Sequence, residues 1–227
     1  NPSLRPPTTP RGDEQSQSGS PVRLPTSESG NAPLASEPPM SEPLMSRDEM
    51  PTEPASHPLR IVYRGRKFDL ALKTIKLAGG GTCEREVIVH RGAVVMLPLL
   101  NDGRIVLIRN YRYVLDQPLW ELPAGTIDPG ETVVQTAARE LAEETGYHAA
   151  TLEPLAHWYV SPGTLTERMN LVLCRDLTPG PNNLQPDEVL TVHPLSAEEV
   201  FDMIDHGEIE DAKTIIALLT ARRRGLV

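Results

Sequence analysis

The sequence predicts an α+β domain, a mixed-sheet αβα sandwich, preceded by a disordered Pro/Ser-rich tail. Two observations carry this. Residues 1–58 hold 13 of the 23 prolines and no Phe, Tyr or Trp. Such a segment cannot bury enough apolar surface to offset the entropy of ordering it. Residues 59–227 instead mix strand-like runs with a few helical patterns, without the strict βαβ alternation of a parallel sheet. That length can bury a full core.

The elements follow in order. "RIVYRGRKFDLALKTIKL" (60–77) reads as a hairpin about Arg64-Gly65-Arg66, and "EREVIVHRGAVVMLPLL" (84–100) as a β-branched, partly alternating run. Asn101-Asp102-Gly103 is a turn signal, and "RIVLIRNYR" (104–112) follows as a strand. "DQPLWELPAGTIDPGE" (116–131), with its prolines and glycines, reads as loop. Residues 132–145 read as a helix, with Val134, Ala138 and Leu141 as the apolar stripe and Gly146 at the C′ position. "LEPLAHWYVSPG" (152–163) and "ERMNLVLCRDL" (167–177) read as strands flanking a loop, and "EVLTVHPL" (188–195) as another. Ser196 caps the next helix, with Glu199 as its capping-box partner. Asp211 caps the last, over 211–225.

Composition narrows the function. A net charge of −9 argues against a general nucleic-acid binder, which would carry a basic face. No apolar run approaches the 18 or more residues of a membrane span. The N-terminal stretch has no apolar core of the kind a secretory signal carries, and its acidic residues speak against a transit peptide. Cys83 and Cys174 form no CxxC motif and read as reduced structural thiols of a cytoplasmic protein.

"RELAEETGY" (139–147) stands apart. It places Glu140, Glu143 and Glu144 within about 100° of one another on a helix wheel. Like charges at i,i+4 cost roughly 0.2–0.5 kcal/mol, and the C-terminal end of a helix disfavours anions further. A solvated acidic face is one reading. The other is a set of ligands for hard cations, which would turn the repulsion into attraction. Mg²⁺ takes oxygen ligands and commonly bridges carboxylates and substrate phosphates.

The neighbourhood favours the second reading. Gly125, five residues, Glu131, seven residues, Arg139-Glu140-Leu141, one residue, Glu143-Glu144, one residue and Gly146 resemble the Nudix box, G-x5-E-x7-R-E-U-x-E-E-x-G-U, with U aliphatic. Seven fixed identities at about 7% each occur by chance in roughly one window in 10⁸. Tyr147 departs from the final aliphatic position. The resemblance implies a mixed sheet between helices and hydrolysis of a nucleoside diphosphate linked to another group, with Mg²⁺ or Mn²⁺. It implies that Glu140 and Glu144 are the principal metal ligands, with Glu143 a ligand or water-mediated partner. By the same resemblance the Ala124 carbonyl points at a metal, and Arg139 and Glu131 hold the loop against the helix. Gly125 is expected to permit a tight backbone turn.

Further segments are similar to the ADP-ribose pyrophosphatase subgroup: Pro162, about 16 residues beyond the box glycine, "IRNYRY" before "WELPAG", and "GEIEDAKTIIALL" near the end. The similarity runs from about 60 to 222. It implies that Glu167 positions or deprotonates the attacking water, that Arg112 contacts phosphate, and that Glu121 touches substrate. The reaction implied is ADP-ribose plus water giving AMP and ribose 5-phosphate. GDP-mannose or another nucleotide sugar is the rival substrate, since that subgroup shares the Ser-Pro-Gly loop. A non-catalytic nucleotide sensor and an interaction protein working through its Pro-rich tail are readings of other classes. Tyr63, Phe68 and Trp158 are candidates for base stacking or, equally, core residues. The resemblance also implies a homodimer in which N-terminal strands of one subunit help build the other's site.

Overall fold

The computed structural model describes residues 59–77, 79–186 and 188–227. The disorder expected for 1–58 lies outside the described residues. In chain order the elements begin with β1 (Leu59–Arg64), β2 (Phe68–Lys76), β3 (Thr82–His90), β4 (Ala93–Pro98), β5 (Ile105–Arg112), β6 (Gln117–Glu121) and β7 (Ala124–Thr126). Helix α1 (Val133–Thr145), β8 (Tyr147–Tyr159), β9 (Arg168–Pro179), β10 (Leu190–Leu195), α2 (Ala197–Asp205) and α3 (Ala212–Arg223) follow.

Among the described residues the strands form three sheets. β1, β2 and β3 are an antiparallel meander, β10-β5-β6 a second antiparallel sheet, and β7-β4-β9-β8 a mixed sheet with β4 parallel to β9. Two expectations are corrected here. The run 84–100 is two strands in two sheets, because the chain turns between them at Gly92, φ 99°. The stretch 116–131 is not all loop: it contains β6 and β7. Pro118 is tolerated because β6 is an edge strand.

The central pair explains the layering. β4, "AVVMLP", is buried throughout. Its alternate residues feed two cores, as the period-2 geometry of a strand requires. Val95 and Leu97 pack with Leu107, Leu171, Leu173, Phe201 and Leu218. Val94 and Met96 pack with Ala137, Leu141, Val172 and Cys174. The mixed sheet therefore lies between α1 on one face and the α2/α3 side on the other. A strand buried on both faces reads as a continuous apolar run rather than an alternating one.

Helix α1 starts where expected. Thr132 accepts from the Gln135 amide, the Gln135 side chain returns to the Thr132 amide, and Gly146 ends the helix at φ 75°. Its buried face differs from the expected stripe. Thr136, Ala137, Leu141, Glu144 and Thr145 are buried, whereas Val134 and Ala138 are exposed. The capping box at Ser196 and the Asp211 cap are both present.

Leu141 is fully buried in the α1 core. Leu141→Ala is expected to cost about 2–5 kcal/mol. At roughly 2–4 °C per kcal/mol for this size, a thermal melt should fall well below that of the wild type. An unchanged melt would show that α1 does not pack as described.

Candidate active site

The loop before α1 is tied to the helix through one guanidinium. Arg139 donates to Glu131 through Nε and Nη2, both at 2.8 Å, and through Nη1 to Glu140 at 2.8 Å and Glu143 at 3.2 Å. Glu131 also accepts from the Thr136 hydroxyl at 2.8 Å. The Arg139 contact, with help from Thr136, holds the Glu131 carboxyl down to about 2, and Glu131 in turn raises Arg139. The pair thus spans from the loop to the acidic face of α1.

Gly125 serves a different purpose from the tight turn expected of it: its φ is not positive. A Cβ built there would lie 1.9 Å from Glu140 Cδ and 2.1 Å from Oε1. The missing side chain is the space that the Glu140 carboxylate occupies. Next to it, the Ala124 amide donates to Glu144 Oε2 at 3.0 Å. Burial, followed by the charge of Glu140, pushes the Glu144 carboxyl up to about 8. Burial also raises Glu140, opposed by Arg139.

These groups open onto a cleft of about 770 Å³. Ala124, Glu140, Glu144, Arg112 and Glu167 all line it. The structure therefore brings together residues drawn from β5, β7, α1 and the loop before β9. Glu121, Glu131, Arg139, Glu143 and Pro162 are not in its wall. Pro162 is exposed in a turn closed by the Thr164 and Leu165 amides on the Ser161 carbonyl. Glu121 is 1% exposed. It accepts from Arg112 Nε at 2.6 Å, from Arg112 Nη2 and from Lys213 Nζ, while Lys213 also donates to Asp211 at 2.9 Å. Burial pushes Glu121 up, but Arg112 and Lys213 outweigh it and hold the carboxyl below its ordinary value.

Several cleft residues lie outside the sequence-derived set. Glu188 joins the acidic wall and acts through space to raise both Glu140 and Glu144. Lys213 and Asp211 stand beside Arg112. Tyr111 and Tyr113 line the cleft and meet edge to face at 5.1 Å. Tyr63, Phe68 and Trp158 do not line it: the first two are exposed and Trp158 packs on the core. The two tyrosines lie inside "IRNYRY", and Asp211 and Lys213 lie inside "GEIEDAKTIIALL", both segments with a signal in the sequence. Glu188 comes from a distant segment with no informative spacing.

Divalent cations fit this donor set. Two carboxylates are raised by burial and by neighbouring acids, Glu144 by Glu140 and Glu140 by Glu143 and Glu188, and a cation would relieve both. Among the described residues no three His, Cys, Asp or Glu side chains form a ready metal cage. Mg²⁺ does not need one, since it is commonly held by one or two carboxylates plus substrate phosphates.

Residues 89–218 match the model of the NUDIX domain. The chain belongs to the Nudix family, and it is a hydrolase of that family. An ADP-ribose pyrophosphatase of Bacillus subtilis is 33% identical over 159 residues, covering 69% of this chain and 86% of the relative. A methanol dehydrogenase activator of Bacillus methanolicus is 35% identical over 159 residues, with the same coverage. Among solved structures, an ADP compounds hydrolase superposes with a TM-score of 0.62 at 27% identity, covering 75% of this chain and 95% of that one. Among the described residues no helix is long and apolar enough to cross a membrane.

Proposed function

We propose that this Nudix hydrolase cleaves the pyrophosphate bond of a nucleoside diphosphate sugar, with ADP-ribose as the substrate and AMP and ribose 5-phosphate as products. The observation that carries the reading is the meeting of Glu140, Glu144, Glu167 and Arg112 in one cleft wall. Relatives named ADP-ribose pyrophosphatase support the choice of substrate.

In this reading Glu140 and Glu144 would hold Mg²⁺, or Mn²⁺, with the Ala124 carbonyl, and Glu143 would serve as a ligand or a water-mediated partner. A metal held there would supply charge neutralisation at the phosphate oxygens and a lowered pKa for water. Arg112 binds a phosphoryl oxygen pair through its guanidinium, held in place by Glu121. Glu167 accepts the proton of the attacking water. The water oxygen joins one phosphorus, the bridging P–O bond breaks, and two phosphate monoesters leave. Glu131 and Arg139 hold the loop and helix in register throughout. We place the activity in the cytoplasm, where Cys83 and Cys174, both free in the structure, stay reduced. We also propose a homodimer, in which case sedimentation should show a species of twice the chain mass. A concentration-independent monomer would rule that out.

The decisive experiment is a panel of nucleoside diphosphate sugars with Mg²⁺ and identification of the products. ADP-ribose should give AMP and ribose 5-phosphate with the highest kcat/KM. Faster turnover of GDP-mannose would transfer the assignment to that substrate, and binding without turnover would leave a sensor. Deleting residues 1–55 should leave kcat/KM within about twofold, because the Nudix box, Arg112 and Glu167, which carry the proposed chemistry, all lie beyond them. A large loss would give the tail a part in catalysis.

A further inference from the structure

Glu167 stands at the end of a loop, immediately before β9, a poor place for a group that must be held closely. Loops between strands are the mobile parts of a scaffold. Here, however, the loop is fastened to another sheet. The Ile88 amide donates to the Thr164 carbonyl at 2.9 Å, and the Thr166 amide donates to the Ile88 carbonyl at 3.0 Å. Ile88 and Leu165 form a parallel bridge. The Thr166 hydroxyl then clasps one residue of β3 from both sides: it accepts from the His90 amide at 2.9 Å and donates to the His90 carbonyl at 3.2 Å.

The same His90 faces the carboxylate. Its Nδ1 accepts from the Gly92 amide at 3.1 Å, which fixes the ring, and lies 3.7 Å from Glu167 Oε1. The imidazole and the carboxylate are both largely covered, at 11% and 18% exposure. One residue of β3 is thus gripped through its backbone by Thr166, while its ring bounds the space left to the Glu167 side chain.

From this we infer that Thr166 is a positioning residue for Glu167: its hydroxyl staples the loop to His90 of β3 and so sets where the carboxylate stands in the cleft. The inference rests on the reading of Glu167 as the group that takes the proton from water. Thr166 itself is exposed and does not line the cleft, so it acts through Glu167 and not on the substrate.

The test is a cycle of Thr166→Val, Glu167→Gln and the double variant, assayed on ADP-ribose with Mg²⁺. Valine keeps the shape and removes the hydroxyl. An ångström-scale misplacement of a reacting group can cost on the order of 100-fold. Thr166→Val should therefore lower kcat by about 10- to 100-fold, with KM held within about twofold. Thr166→Ser should restore kcat, because serine supplies the same oxygen. In the Glu167→Gln background the Thr166→Val change should have no further effect on kcat, since coupled residues do not add. Mg²⁺ uptake measured by calorimetry should match that of the wild type. Thermal melts confirm that each variant is folded, and Thr166→Ala provides a second deletion of the hydroxyl if valine perturbs the loop.

The inference is overturned by wild-type kcat in folded Thr166→Val and Thr166→Ala. It is also overturned by an equal loss in both backgrounds or by a weakened Mg²⁺ affinity, either of which would place the effect elsewhere. Wild-type kcat in Glu167→Gln would instead remove the role of Glu167, and the inference with it. The two failures are thus told apart by which single variant stays active.

Discussion

Glu144→Gln should abolish most Mg²⁺-dependent turnover while making the metal-free protein more stable at alkaline pH. The two effects have one origin. A bound metal contributes several kcal/mol of charge stabilisation in the transition state, and in the proposed reading Glu144 is one of the groups that hold it. At about 1.36 kcal/mol per decade, its loss should lower kcat/KM on the order of 10³-fold. The stability effect follows from burial. In the metal-free protein the Glu144 carboxyl is pushed up to about 8 from 4.5. A carboxyl raised on folding favours the folded state while it is protonated, so its contribution is lost as pH climbs from about 4.5 through 8. Glutamine keeps an oxygen for the Ala124 amide and carries no charge, so it escapes that loss. In chelator, wild-type melts should fall between pH 6 and pH 9 more steeply than those of the variant. At pH 9 the variant should melt several degrees higher, at roughly 2–4 °C per kcal/mol. Glu140 is raised as well and leaves a residual slope in both, so the comparison is between the two proteins. Parallel pH slopes would remove the buried-charge account, and wild-type turnover would remove the ligand role.

That cost was legible in the sequence only in outline. Three glutamates on one helical face mark a site, and the spacing from Gly125 to Gly146 makes the motif specific. The rotation of the helix was not legible. Val134 and Ala138 look like the buried stripe by residue type, yet both are exposed. The buried face instead carries Thr136, Glu144 and Thr145 beside Ala137 and Leu141. Apolar identity tracks burial poorly where polar side chains are satisfied inside. Thr136 donates to Glu131, and Thr145 donates to the Leu141 carbonyl. The short strands β6 and β7 were masked by prolines and glycines that an edge strand tolerates.

The rest of the site depends on contacts that local spacing cannot encode. Lys213 meets Glu121 across 92 residues of chain, and the Thr166 hydroxyl meets His90 across 76. Such pairings are decided by sheet order. Glu121 shows the consequence. As part of "WELPAG" it reads as a substrate contact, but the fold buries it between Arg112 and Lys213. Its charge is spent on holding those cations at the cleft wall, which an isolated motif does not reveal.

Gly125→Ala should inactivate the enzyme with only a modest loss of stability, an outcome that separates a steric role from a conformational one. The backbone at Gly125 lies outside the left-handed region, so alanine meets no torsional obstacle. Its Cβ, however, would sit 1.9 Å from Glu140 Cδ and 2.4 Å from Cγ. These atoms belong to the flexible end of a side chain, and Glu140 can swing aside. Doing so breaks its contact with Arg139 at 2.8 Å and takes the carboxylate from the position it holds in the cleft. Point substitutions centre near about 1 kcal/mol of destabilisation, and no hydrophobic core residue is changed here. A displaced reacting or ligating group costs on the order of 10²-fold or more. Metal affinity should fall with kcat/KM, since one carboxylate is withdrawn from both tasks. The decisive comparison is with Glu140→Gln. If alanine acts only by evicting Glu140, the double variant should be no worse than Glu140→Gln alone, because the two changes remove one interaction. Additive losses would mean that Gly125 also shapes the path of the loop. A fully active Gly125→Ala would mean that Glu140 is not needed where the structure puts it.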